Sequence, residues 1–160
     1  MEMNLNIRSR SSLSGDFMNA DEEAAWLAEK LLSLAPAEGE PVKVTVNVLG
    51  SEVGGGLGRA REMAVASVDA SGKVTDWRVE EVGWDVLHDQ DPEGSHHGRI
   101  VTFMRENQIN AVVAGHAGPP MVNTLVKLGV FPVLGLTGDA REAAAAAATR
   151  YREVIKGQAA

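Results

Sequence analysis

Imidazole side chains are the most informative candidates for chemistry in this chain, which contains four histidines and no cysteine. His116 lies between Gly115 and Gly118, in a short turn that follows an apolar segment. In such a turn a side chain projects over a crevice, and an imidazole there suits a metal or an anion. We predict that His116 binds a ligand or metal; a helix-capping or merely exposed histidine is the alternative. The absence of cysteine excludes disulfides, thiolate nucleophiles and thiolate metal ligands.

A second group of metal-ligating side chains, His88, His96 and His97 with Asp89 and Asp91, falls within one polar segment. Imidazole and carboxylate together suit Zn, Fe or Ni. The spacing matches no zinc pattern, and adjacent histidines rarely bind the same ion. We therefore rank the three histidines as weaker metal candidates than His116, with a solvated loop as the alternative.

Two glycine-rich stretches, residues 54–58 and 115–118, are candidates for holding a ligand against the backbone. Glycine allows close approach and positive φ, which exposes N–H groups as an anion nest. Tight turns without a ligand, and a solvated Arg59, are the alternatives. Neither stretch is a P-loop, and Arg59 stands where Gly-x-Gly-x-x-Gly needs its third glycine. The predicted cofactor-binding residues are Gly54, Gly55, Gly56, Gly58, Arg59, Gly115, His116, Ala117 and Gly118.

Strands must bring these loops together. Valines alternate with polar residues from Val42 to Val48, which predicts a strand with one wet face. Residues 111–114 are continuously apolar, as in a strand covered on both faces. In an open α/β sheet, ligands bind beyond the carboxyl ends of the strands. Both glycine-rich stretches follow strands at that edge, so we expect them to meet there.

The remaining pattern predicts alternating elements around this sheet. Capping boxes at Asn19 and Asp139 begin helices over residues 19–35 and 139–155. A hairpin over 63–68 and 74–82 implies one antiparallel strand, and residues 84–94 are expected to be a polar loop. A helix begins at Ser95 or His96, another lies between Pro119 and Gly129, and a strand covers 130–136. The result is a mixed sheet with helices on both faces.

The chain length and charge restrict the class of protein. With 160 residues and a net charge of −7, we expect one domain that binds neither nucleic acid nor an anionic membrane. No signal peptide or membrane span is evident, so the expected location is the cytoplasm. We divide the chain into a flexible arm (1–18), an added helix and linker (19–41) and a cofactor-binding domain (42–156).

Two motifs carry a family resemblance. Residues 109–119, Ile-Asn-Ala-Val-Val-Ala-Gly-His-Ala-Gly-Pro, followed by Leu128-Gly129-Val130, resemble the strand, Gly-x-x-Gly turn and helix exit of the dinitrogenase iron–molybdenum cofactor biosynthesis family. Gly58-Arg59-Ala60 resembles the family's Phe-Gly-x-Ala element, with Leu57 replacing the aromatic residue. The resemblance covers about residues 42–147.

This resemblance implies a three-layer ribonuclease H-like α/β domain with a mixed, mostly parallel sheet of about five strands. It also implies a non-catalytic carrier of an iron–sulfur or iron–molybdenum cluster, or a related anionic cofactor, that exchanges it with a donor or acceptor protein. Because the chain lacks cysteine, binding would depend on His116, backbone N–H groups and other histidines.

Three other functions stay open at this point. An enzyme acting on a small anion would use His116 as acid or base, although no nearby residue in the sequence pairs with it. A nuclease needs carboxylates around metal ions, but the relevant strand offers Asn47, and Asp69 falls in a turn. An interaction module would form a homodimer through the N-terminal helix or a sheet edge.

Overall fold

The fold is described from a computed structural model over residues 19–90 and 93–159. The predicted arm, residues 1–18, lies outside the described residues. A 3-10 turn, Leu57–Arg59, precedes the third strand. In chain order the elements are α1 (Ala20–Leu32), β1 (Val42–Leu49), β2 (Glu52–Val53), β3 (Glu62–Val68), β4 (Val74–Glu81), α2 (Trp84–Gln90), α3 (Glu93–Glu106), β5 (Ala111–Ala114), α4 (Pro119–Leu128), β6 (Phe131–Leu134) and α5 (Ala140–Ala159).

The main sheet has the strand order β4-β3-β1-β5-β6, and the short β2 pairs with the end of β1. β1, β5 and β6 are mutually parallel, with Val46 opposite Val113 and Val113 opposite Val133. β3 runs antiparallel to both β1 and β4. Within this order β3 alone is reversed, which confirms the predicted mixed, mostly parallel sheet with one antiparallel strand.

β1 lies at the centre of the sheet although every second residue is polar. The prediction of a wet face is wrong, because Thr45 and Asn47 are 0% and 4% exposed. The Thr45 hydroxyl donates to the Ala64 carbonyl at 2.7 Å, and the Asn47 amide donates to loop carbonyls. Buried polar groups are tolerated when the protein satisfies their hydrogen bonds.

Helices cover both faces of the sheet. The even-numbered valines of β1 pack against α5, and Leu31 of α1 joins the same core. On the other face Met63, Val65 and Val112 pack against α2, α3 and α4. This three-layer arrangement is the predicted fold class.

Local signals set most of the helix ends. The Asn19–Glu22 capping box is present, and Gly129 ends α4 with φ of 93°. Residues 84–90, predicted to be a polar loop, instead form α2. Trp84 anchors this short helix, because it is 2% exposed and packs edge-to-face on Phe103 at 5.4 Å. Among the described residues, no helix is long and apolar enough to cross a membrane.

Candidate functional site

The loop after β2 is fixed to the end of β1 by Asn47. The Gly54 N–H donates to the Asn47 carbonyl at 2.7 Å. In return, Nδ2 of Asn47 donates to the carbonyls of Gly55 at 3.1 Å and Gly56 at 3.0 Å. One buried side chain therefore sets the course of residues 54–56.

The two glycine-rich stretches are in direct contact at the carboxyl edge of the sheet. The Gly115 N–H donates to the Gly55 carbonyl at 2.8 Å, and the Leu57 N–H donates to the His116 carbonyl at 2.9 Å. Gly56 and His116 form an isolated parallel bridge. These bonds lie beyond the β1–β5 pairing and hold the His116 turn beside residues 55–57.

Close packing explains three of the glycines in these stretches. A Cβ on Gly54 would lie 2.7 Å from Oδ1 of Asn47, and one on Gly56 would lie 3.3 Å from Nε2 of His116. A Cβ on Gly115 would lie 3.0 Å from the Gly54 carbonyl oxygen. None of the six predicted glycines has positive φ. The expected conformational role is therefore wrong, and these three glycines serve close backbone approach.

A cavity of about 360 Å³ opens where the two stretches meet α3. All four histidines of the chain line it, together with Arg59. No acidic side chain is among the described lining residues. The full lining consists of Gly56, Leu57, Gly58, Arg59, His88, His96, His97, Ile100, His116, Ala117, Gly118, Pro120 and Met121.

The four histidines differ in their surroundings. His116 is exposed, and its ring makes no hydrogen bond or ion pair among the described residues. His88 is also exposed, and its Nδ1 lies 3.3 Å from a carboxylate oxygen of Asp89. His96 is 3% exposed, and both of its ring nitrogens contact protein atoms. His97, of intermediate exposure, lies on α3 beside His96.

The charged groups at the cavity rim interact weakly. Arg59 approaches Asp89 at 3.6 Å, with both side chains more than half exposed. Exposed pairs of this kind contribute between about 0 and 1 kcal/mol. Arg59 is therefore free to turn towards a bound anion at small cost.

A bare metal ion is a poor fit to this arrangement. In the part of the chain that the structure describes, no three His, Asp or Glu side chains are grouped to hold one ion.

The first turn of α4 begins with Pro119 and Pro120. Prolines lack N–H groups, so this helix N-terminus offers an anion fewer backbone donors than one without prolines.

The predicted residues divide into two sets. Three of them, Gly54, Gly55 and Gly115, build the loops beneath the cavity and do not line it. Sequence reasoning did not select Asn47 as a site residue, although a polar residue in an apolar strand before a glycine-rich loop is a usable signal. The predicted residues that line the cavity are Gly56, Gly58, Arg59, His88, His96, His97, His116, Ala117 and Gly118.

A second cavity, of about 600 Å³, lies at the opposite end of α3 and α4. Its walls include Leu34 and Pro36 after α1, Met104 and Gln108 at the end of α3, and Leu128. None of the residues selected from the sequence lines it.

The strand order and the three layers define an α/β domain with an open, mixed, mostly parallel sheet, and the histidine-lined cavity lies at the carboxyl edge of that sheet. The chain belongs to the family described as dinitrogenase iron-molybdenum cofactor, whose model matches residues 41–150. α1 and most of its linker precede this match. No curated protein matches the chain.

Two solved structures are similar to this chain at low sequence identity. The crystal structure of PH0822 is 19% identical, covers 73% of this chain and 93% of its own, and gives a TM-score of 0.50. The apo form of the orange protein from Desulfovibrio gigas is 18% identical, with 77% and 92% covered and a TM-score of 0.47.

Proposed function

We propose that the protein is a non-catalytic carrier that binds an anionic iron–sulfur or iron–molybdenum cluster in the histidine-lined cavity. His116 would be its principal ligand. One observation carries the proposal: in a chain of net charge −7, all four histidines and Arg59 line one cavity whose described lining holds no carboxylate. A locally cationic or neutral site on an acidic protein favours an anionic ligand.

The donor set favours a preformed cluster over a bare ion. A preformed cluster whose metals are already coordinated by sulfide can be held by its charge and a few protein donors, whereas a single ion needs a full coordination sphere from the protein. The described residues gather no three-ligand group. One or two imidazoles with Arg59 beside them suit the cluster.

Binding also fits the surroundings of His116 better than catalysis does. General acid–base work requires a group that orients or activates the imidazole. The His116 ring has no such partner among the described residues. A carrier must receive and release its cargo, so we propose a cluster donor or acceptor protein as its partner.

The test is an anaerobic titration with tetrathiomolybdate, a molybdenum–sulfur dianion, followed by absorption. His116→Ala is expected to weaken binding at least about tenfold, equivalent to about 1.4 kcal/mol. Asn123→Ala, an exposed change on α4 outside the cavity lining, is the control. Equal affinity for wild type and His116→Ala would remove the basis of the proposal.

Two arginines provide a matched comparison of charge. Arg59 lines the cavity and pairs with Asp89, whereas Arg61 does not line it and pairs with Glu81 at 3.4 Å. Arg59→Met is expected to weaken tetrathiomolybdate binding about threefold to tenfold, and Arg61→Met to leave it unchanged. If both variants weaken binding equally, the attraction comes from total charge and not from the cavity.

A further inference from the structure

The four histidines of the cavity do not have the same role. We propose that His96 is a positioning residue and not a ligand, and that it holds the Gly58 turn and the His88 ring so that His88 and His116 face the bound cluster. The identity of the bound cluster rests on the proposed function, whereas the tautomer and hydrogen bonds of the His96 ring are properties of the protein alone.

The contacts of His96 fix which ring nitrogen carries the proton. Nε2 lies 2.7 Å from the Gly58 carbonyl oxygen, which can only accept, so Nε2 carries the hydrogen. Nδ1 lies 3.0 Å from Nη1 of Arg99, and a guanidinium can only donate, so Nδ1 presents its lone pair. His96 is therefore a neutral imidazole in the Nε2–H form.

Both nitrogens are thus unsuited to a metal. Coordination requires a free lone pair, but the lone pair on Nδ1 accepts a charge-assisted hydrogen bond and Nε2 is protonated. The ring is also 3% exposed. To act as a ligand, His96 would have to give up its hydrogen bond with either Arg99 or the Gly58 carbonyl.

His88 has the opposite arrangement. Its Nδ1 faces the Asp89 carboxylate at 3.3 Å, which favours a proton on Nδ1 and a lone pair on Nε2. Nε2 has no hydrogen-bond partner among the described residues. A carboxylate on the distal nitrogen is the usual support for a metal-binding histidine. His88 therefore suits the second ligand position beside His116.

His96 also sets the place of His88. The two rings pack edge-to-face with centroids 5.2 Å apart and planes at 87°. Gly58 lies against both: a Cβ there would be 3.8 Å from Nε2 of His96 and 3.9 Å from Cδ2 of His88. Loss of the His96–Gly58 bond would free the turn and the neighbouring ring together.

The proposal is tested first on the protein alone, by ¹H–¹⁵N spectra of the histidine rings. We expect His96 in the Nε2–H form, with ring shifts that stay constant when tetrathiomolybdate is added while those of His88 and His116 change. A proton on Nδ1 of His96, or a His96 ring shift that moves as far as that of His116, would overturn the proposal. The two proposals can fail separately. If wild type does not bind tetrathiomolybdate, the proposed function is overturned. The position of the proton on the His96 ring is measured without the probe, so it still tests the role of His96.

Two variants then separate positioning from ligation. Gln in place of His96 keeps an N–H donor for Gly58 and an oxygen for Arg99, whereas Phe keeps the ring and loses both bonds. We expect His96→Gln to bind tetrathiomolybdate within about threefold of wild type, and His96→Phe to bind about tenfold more weakly. Equal losses in the two variants, matching His116→Ala, would show that His96 is a ligand. Circular dichroism confirms that each variant is folded before titration.

Discussion

Asn47→Ala removes the side chain that fixes residues 54–56 to the end of β1. Its amide donates at 3.1 Å to the Gly55 carbonyl and at 3.0 Å to the Gly56 carbonyl, and the residue is 4% exposed. The Gly55 carbonyl keeps its bond from the Gly115 N–H, so the Gly56 carbonyl is the one that loses its donor. The free energy of unfolding should fall by about 1–3 kcal/mol. For a chain of this size that loss lowers Tm by roughly 2–12 °C.

Thr45→Val is the matched control, because Thr45 is also buried on β1 but bonds only to Ala64 of β3. Its loss should cost about 1 kcal/mol. Calorimetry measures the stability of both variants, and tetrathiomolybdate titration well below Tm measures binding. We expect Asn47→Ala to weaken binding at least about fivefold and Thr45→Val to leave it unchanged, because Asn47 bonds to the loop that carries the cavity wall whereas Thr45 bonds to β3. Equal binding by the two variants would refute the reasoning.

Three further predictions concern stability. Gly115→Ala would place a Cβ 3.0 Å from the Gly54 carbonyl oxygen and should lower the free energy of unfolding in urea by about 1–3 kcal/mol. Gly118→Ala would place a Cβ 3.8 Å from its nearest atom and should lower it by less than about 1 kcal/mol. Equal losses of stability in the two variants would contradict the steric explanation. Gln108→Gly should raise the urea midpoint, gaining about 0.5–1 kcal/mol, because Gln108 has φ of 53°; an unchanged midpoint would count against strain there. Burial raises the pKa of Tyr151, the chain's single tyrosine, to about 12, so its phenolate absorbance should appear near pH 12. The stability that the neutral phenol contributes should be complete below about pH 10 and lost as the pH rises through about 12. An absorbance midpoint near pH 10 would contradict the burial of Tyr151.

Local patterns were sufficient to predict most of the fold. Alternating valines identified β1, the continuous run of residues 111–114 identified β5, and the Asn19 capping box identified the start of α1. These signals succeed because each depends on residues that are close in sequence. The wet face assigned to β1 failed because its polar groups are satisfied by distant carbonyls, which periodicity does not reveal.

The site was less accessible to sequence reasoning. α2 was missed because it spans only seven residues with one dominant anchor, Trp84, whose partner Phe103 lies on the next helix. Without α2 and the start of α3 in place, His88, His96 and His97 looked separate from His116. Their convergence on one cavity follows from the packing of those helices over the carboxyl edge of the sheet.

The division of roles between the histidines also required coordinates. In sequence, His96 and His97 are adjacent and equivalent candidates. Arg99, three residues further along α3, shares a helix face with His96 and was the available hint of its engagement. The second contact, with the Gly58 carbonyl, joins residues 38 positions apart in the chain.

The most direct test of cluster binding is metal analysis with absorption spectra of protein reconstituted with ferric iron and excess sulfide without oxygen. Wild type should acquire a brown chromophore with iron in a fixed ratio to the chain, and His116→Ala should retain little of it after desalting. Wild type that remains colourless and free of iron, or a variant that retains as much iron as wild type, would contradict the proposed carrier.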